Sequence, residues 1–190
     1  MYLLQLLKIE AVNYIVYDLE ATCWNGHAPT DIQEIIEIGA LLINPYGEVE
    51  REFSRFVRPK LAPTLSMYCK ELTHITQTQI DKADEYDEVE YDFKRWINME
   101  EDYLLCSWGK FDKKALFENG DLHGLDTDWI NPHIDMKKQY QKINNLKKQI
   151  GLMWAVNREE FEFEGTPHRA ISDAFNTAKI FVRYMEDWQH

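Results

Sequence analysis

Two carboxylates one residue apart, Asp18 and Glu20, stand at the end of an apolar run. In an extended strand, residues i and i+2 project from the same face. Both charges therefore leave one side of a sheet together. Each raises the other's pKa unless something cationic lies between them. Mg²⁺ suits such a site, because it prefers oxygen ligands and keeps several waters. Taken alone, the pair reads more readily as a solvated strand edge. Asp112, in Trp108-Gly-Lys-Phe-Asp112, follows another apolar run. Alone it reads equally as a first-turn helix acid placed for the dipole. His168 and Asp173 open the last helical pattern, in Thr166-Pro-His-Arg-Ala-Ile-Ser-Asp173. Thr166-Pro167 is a helix-start signal, and a histidine just after it is ordinarily a capping or surface residue. Asp173 borders the apolar stripe of that helix, where an unpaired charge is costly.

Four acids and one histidine suit phosphodiester hydrolysis. Two divalent metals grip the scissile phosphate, lowering the pKa of the attacking water and stabilising the leaving 3′-oxygen. A neutral imidazole takes the water's proton. No nucleophilic side chain is required. The sequence offers no G-x-S-x-G elbow and no defensible Cys/His pairing.

These residues need elements to hold them. Residues 12–18 (VNYIVYD) are β-branched and aromatic and read as a buried central strand. Residues 35–43 (IIEIGALLI) form a second. A turn at Asn44-Pro-Tyr-Gly47 leads to residues 49–57 (VEREFSRFV), which alternate as a third strand paired back on the second. Residues 65–80 suggest short helical pieces. Residues 87–97 suggest a surface helix with Val89, Phe93, Trp96 and Ile97 on one face. Residues 103–107 predict a fourth strand, and 129–134 a short fifth. Helices are predicted over 111–118, ending near Asn119-Gly120, and over 135–141 and 145–150. In the last helix Ile171, Ala174, Phe175, Ala178, Phe181 and Met185 recur on one face. The order predicts an α/β domain, a mixed sheet flanked by helices, spanning 1–190 as one unit.

A hydrophobic share of 45% and an aromatic share of 13% give enough apolar surface for a packed core. No apolar run is long enough to cross a membrane. The opening MYLLQLLKIE lacks a basic n-region and reads as a segment packed on the domain rather than a signal peptide. Cys23, Cys69 and Cys106 have no metal-ligand spacing and read as free thiols in a reducing cytoplasm. The formal charge of −12 is the wrong average sign for binding phosphates. The charge is uneven, however. Residues 81–102 carry ten acids and three bases, whereas 137–148 carry five lysines and no acid. That lysine stretch reads either as a solvated helix face or as a track for phosphates, with Lys137, Lys138 and Lys142 the residues to neutralise.

The five residues, in this order and these settings, resemble the DnaQ-like DEDDh family of 3′–5′ exonucleases. Tyr17-Asp-Leu-Glu-Ala-Thr-Cys23 is similar to the first motif of the branch containing KapD-like bacterial proteins and Eri-type RNA exonucleases. Glu34-Ile-Ile-Glu-Ile-Gly39 resembles the strand that follows it. Glu71-Leu-Thr-His-Ile-Thr76 resembles an E-L-T-G-I-T segment, with His74 in place of the usual Gly. Ser107-Trp-Gly-Lys-Phe-Asp112 resembles the second acidic motif. His168-Arg-Ala-Ile-Ser-Asp173 resembles the H-x₄-D third motif, with Ala174 and Asn176 after it. The likeness runs from about Tyr14 to Met185.

The resemblance implies an RNase H-like fold, with a five-stranded mixed sheet and the site at the end of the first strand. It implies that Asp18, Glu20 and Asp173 ligate one Mg²⁺ or Mn²⁺. Asp18 and Asp112 would then hold a second, Asp112 partly through water. His168 is implied as general base, and Ala21 and Trp108 as lining for the terminal nucleotide. Single-stranded 3′ ends are the implied substrate, with RNA favoured over DNA by the motif spelling. Two other functions stay open: a catalytically silent nucleic-acid-binding protein, and a phosphodiesterase for dinucleotides or short oligonucleotides, which would suit an acidic chain.

Overall fold

The computed structural model describes residues 12–189. The opening MYLLQLLKIE, expected to pack on the domain, lies outside them. Three antiparallel strands come first: β1 (Asn13–Ala21), β2 (Ile35–Ile43) and β3 (Val49–Arg58). All nine residues of β2 are buried, as its unbroken apolar run requires. Two short helices follow, α1 (Met67–Thr73) and α2 (Gln77–Asp81). The two-residue strand β4 (Asp84–Glu85) pairs with β3 and leads into α3 (Tyr86–Ile97). Next come β5 (Tyr103–Ser107), α4 (Phe111–His123), β6 (His133–Asp135), α5 (Met136–Ile143), α6 (Leu152–Arg158) and α7 (Ala170–Arg183).

The sheet order is β4-β3-β2-β1-β5-β6, with β5 parallel to β1 and β6 parallel to β5. The five expected strands are present, and β4 adds a sixth too short to leave a pattern in sequence. One face carries Ile15, Tyr17, Leu19, Ile38, Ala40 and Leu42, packed with residues of α3 and α4. The other carries Val16, Leu41 and Ile43 beneath residues of α5, α6 and α7. Alternation places Asp18, Glu20, Glu37 and Gly39 on this second face, since they share parity with Val16 and Leu41.

Several boundaries differ from expectation. The helix α4 does not stop near Gly120 but runs to His123. A Cβ on Gly120 would lie 2.5 Å from Thr127 Cγ2, so that glycine allows close packing, and Gly124 (φ 66°) ends the helix. Trp129 and Ile130 lie in a 3₁₀ turn, and the fifth strand starts only at His133, because Pro132 has no N–H for a ladder. Residues 145–150 are not helical. Asn145 adopts φ 53°, which breaks the chain after α5, and a helix absent from the sequence reading begins after Gly151. Thr166-Pro167 does not start α7, which begins at Ala170. Among the described residues, no helix is long and apolar enough to cross a membrane.

Candidate active site

The site sits where β1 leaves the core. Antiparallel register sets Asp18 opposite Gly39 and Glu20 opposite Glu37. Helix α7 crosses at this point. A Cβ on Gly39 would lie 2.2 Å from the Ile171 backbone N and 2.3 Å from the Ala170 carbonyl carbon. Only a residue without a side chain lets the helix come so close, and the approach brings Asp173, in its first turn, to Asp18 and Glu20. Ligand atoms of Glu20, His168 and Asp173 all lie within 4.8 Å of one another.

Asp112 arrives from the other side, in the first turn of α4 after the parallel strand β5. Its carboxylate is buried. The four acids feel one another. Asp18 is driven well above the usual carboxylate range by burial, then by Asp112, Asp173 and Glu20. Burial and the charge of Asp173 push Glu20 up to about 8. Burial raises Asp112 to about 7, against the pull of hydrogen bonds from Ser107 and Leu19. Burial also raises Asp173 to about 6, opposed by a hydrogen bond from the His168 backbone. Such a cluster of oxygen donors attracts a hard cation.

His168 is exposed and held at φ 59°, a left-handed conformation that histidine tolerates better than most residues. The bend turns its ring toward Glu20 and Asp173. Hydrogen bonds on either side of His168 fix the bend. Arg169 donates from Nε and Nη2 to the two carboxylate oxygens of Glu37, at 3.1 and 2.7 Å. The Ala170 N–H also donates to Glu37, at 3.0 Å. The Asn176 amide donates to the Glu164 and Ser172 carbonyls, and Ser172 Oγ accepts from the Thr166 N–H. Glu37 carried one visible signal, a lone acid inside an otherwise apolar strand.

The two residues expected to line a nucleotide pocket are less direct. Ala21 is buried at the end of β1, and its carbonyl accepts from Cys69 Sγ at 3.7 Å. Trp108 is half-buried on the carboxylate face, its Nε1 donating to the Ile150 carbonyl and its ring tilted against Tyr140. His74 is the C-cap of α1, at φ 58°.

Comparison with known proteins now decides the family. The chain matches the RNase T exonuclease family model over residues 15–181. It belongs to that exonuclease family. Human 3′-5′ exoribonuclease 1 is 32% identical over 185 residues, which take in 90% of this chain and 52% of that protein. The probable 3′-5′ exonuclease KapD of Bacillus subtilis (strain 168) is 29% identical over 181 residues, covering 93% of this chain and 86% of its own. The nuclease domain of 3′hExo, a DEDDh family member bound to rAMP, superposes with a TM-score of 0.86. It is 29% identical, with 95% of this chain and 97% of that one covered. The exonuclease chain spans about half the length of the exoribonuclease 1 relatives. The fold is the mixed α/β sheet of DEDDh nucleases, with the two-residue β4 as an addition to the five strands expected.

Proposed function

We propose that this exonuclease domain removes nucleotides from the 3′ end of single-stranded nucleic acid, RNA in preference to DNA, releasing nucleoside 5′-monophosphates. The observation that carries it is the convergence of Glu20, His168 and Asp173 within 4.8 Å, beside Asp18 and Asp112. The names of the relatives, exoribonucleases among them, support RNA. Asp18, Glu20, Asp112 and Asp173 fit two divalent ions, Mg²⁺ or Mn²⁺, because they offer only oxygen donors and each is raised by burial and like charge. When bound there, the ions supply Lewis acidity at the scissile phosphate.

The chain's own residues do the rest. His168 takes a proton from water as the new P–O bond forms. The bond from phosphorus to the 3′-oxygen breaks, and that oxygen leaves on the shortened strand after gaining a proton. Arg169 and Glu37 position the histidine and Asp173 from behind. Ala21 and Trp108 belong to this reading as walls for the terminal nucleotide. The free thiols Cys23, Cys69 and Cys106 fit a reducing, cytoplasmic setting.

The test uses RNA and DNA strands labelled at the 5′ end, with Mg²⁺, Mn²⁺ or EDTA, beside Asp18→Ala and His168→Gln. A ladder shortening from the 3′ end is expected, requiring metal and absent in Asp18→Ala. His168→Gln should lose about 10²–10⁴-fold in rate. No cleavage of either strand by folded, metal-supplied protein would overturn the reading. Faster turnover of dinucleotides than of long strands would replace it with a phosphodiesterase for short oligonucleotides.

A further inference from the structure

The catalytic acids do not account for a second charged feature at the same end of the sheet. The parallel strands β1, β5 and β6 all end there, at Ala21, Ser107 and Asp135. A groove of about 550 Å³ lies beside β6, between α4 and the start of α5. Lys110, Lys113 and Lys114 line it from one side and Lys138 from the other. Phe117 and His133 supply apolar and aromatic surface in the same groove.

The balance of charge favours an anion. Lys114 is paired with Glu118 at 2.8 Å, and Asp135 is occupied in capping the Lys138 backbone N–H at 3.0 Å. Lys113 Nζ is held by Asn131 Oδ1 at 2.7 Å, which keeps the charge in place. Among the described residues, Lys110 and Lys138 make no ion pair and no side-chain hydrogen bond, and both are exposed. Lys137 lays its stem along Gly109, where a Cβ would lie 3.5 Å from its Cδ. In a chain of formal charge −12, lysines drawn from two helices into one groove form a local field opposite to the average.

We propose that this groove binds the sugar-phosphate backbone of the substrate strand on the 5′ side of the scissile bond. The inference rests on the exonuclease reading above. Continuity with the site selects this occupant. Lys110 caps the helix that carries Asp112 in its first turn, so the lysines of the groove begin within two residues of the carboxylate cluster. A strand whose 3′ terminus sits among the carboxylates can continue only in the 5′ direction. Ammonium groups at the rim take the phosphates.

The experiment measures binding of a fluorescent single-stranded RNA of about 12 nucleotides. It uses an Asp18→Asn background, so the strand is not consumed, over a range of NaCl concentrations. Lys110→Gln/Lys138→Gln should weaken binding on the order of tenfold and flatten the slope of log K against log salt by about 1.4, at about 0.7 per single-strand contact. Lys110→Arg/Lys138→Arg should keep the parent slope. Lys147→Gln/Lys148→Gln, exposed lysines outside the groove, should keep both slope and affinity. In the active protein, the glutamine pair should also shrink the kcat/KM advantage of the long strand over a dinucleotide. An unchanged slope in the glutamine pair, or an equal loss in Lys147→Gln/Lys148→Gln, overturns the groove. Binding does not need turnover, so a failure of the exonuclease reading shows separately, as a wild-type protein that binds but does not cleave.

Discussion

At the scale of single residues, function and stability pull in opposite directions. Asp18 is raised well above the usual range by burial and by four neighbouring acids. Asp18→Asn removes one repelling charge while keeping the shape. In EDTA it should raise Tm, by about 2–4 °C for each kcal/mol of relieved repulsion, while abolishing turnover. A Tm in EDTA below that of the wild type would show that the carboxylate cluster is not strained. Glu37 is the opposite case, a buried acid whose charge is satisfied. Its partner Arg169 is partly exposed, but removing it leaves the carboxylate uncompensated. Arg169→Met should therefore cost on the order of 3 kcal/mol. Adding Glu37→Gln should recover part of that loss in a double-mutant cycle read by urea unfolding. Asp18, Glu20, Asp112, His168 and Asp173 stood out as a set through the family resemblance, since each alone also reads as a strand-edge, helix or surface residue. Glu37 and Arg169 were not assigned, because their role is to pair with each other across 132 residues of chain.

The site depends at the scale of elements on how closely α7 lies over β2. Gly39→Ala places a methyl against the helix backbone, which cannot swing aside as a flexible side chain would. The expected cost is on the order of 3 kcal/mol, with a loss of kcat/KM in the protein that remains folded, because Asp173 moves with the helix. Gly151→Ala is the control. Nothing lies within 4 Å of its added Cβ, and the change should stay within about 0.5 kcal/mol. A Gly39→Ala protein as stable and active as the wild type would show that the close approach of α7 does not set the site. His74 supplies a second test. This residue, which stands where the resembling segment has glycine, is a helix C-cap at φ 58°. Glycine adopts that conformation without a Cβ clash, so His74→Gly should stabilise the fold by about 1 kcal/mol in chemical denaturation.

Across the whole molecule, the raised acids make stability depend on pH and on metal together. Glu20, Asp112 and Asp173 are pushed up to about 8, 7 and 6. In the unfolded chain such groups titrate near about 4. The folded state thus holds their protons more tightly. Their contribution to stability is full below about pH 4 and is lost as pH rises through the range from about 6 to 8. Divalent cations substitute for those protons. In EDTA, Tm should fall between about pH 5.5 and pH 8, and Mg²⁺ should raise Tm more at the higher pH. Equal metal shifts at both values in scanning calorimetry would count against the cluster as the metal site.

The sequence by itself determined the alternating parity of β1, the buried run of β2, the order of strands and helices, and five residues of the right chemistry. Periodicity and residue type are local properties, and these features depend on little else. Tertiary structure decided the rest. It set Gly39 under α7, tied Arg169 to Glu37, and laid lysines 110, 113 and 114 beside Lys138. It also confined the short strand to residues 133–135, left 145–150 without the expected helix and started another at Leu152–Arg158. Each of these depends on contacts between segments distant in sequence or on a single backbone angle. Neither leaves a period in the chain to be read.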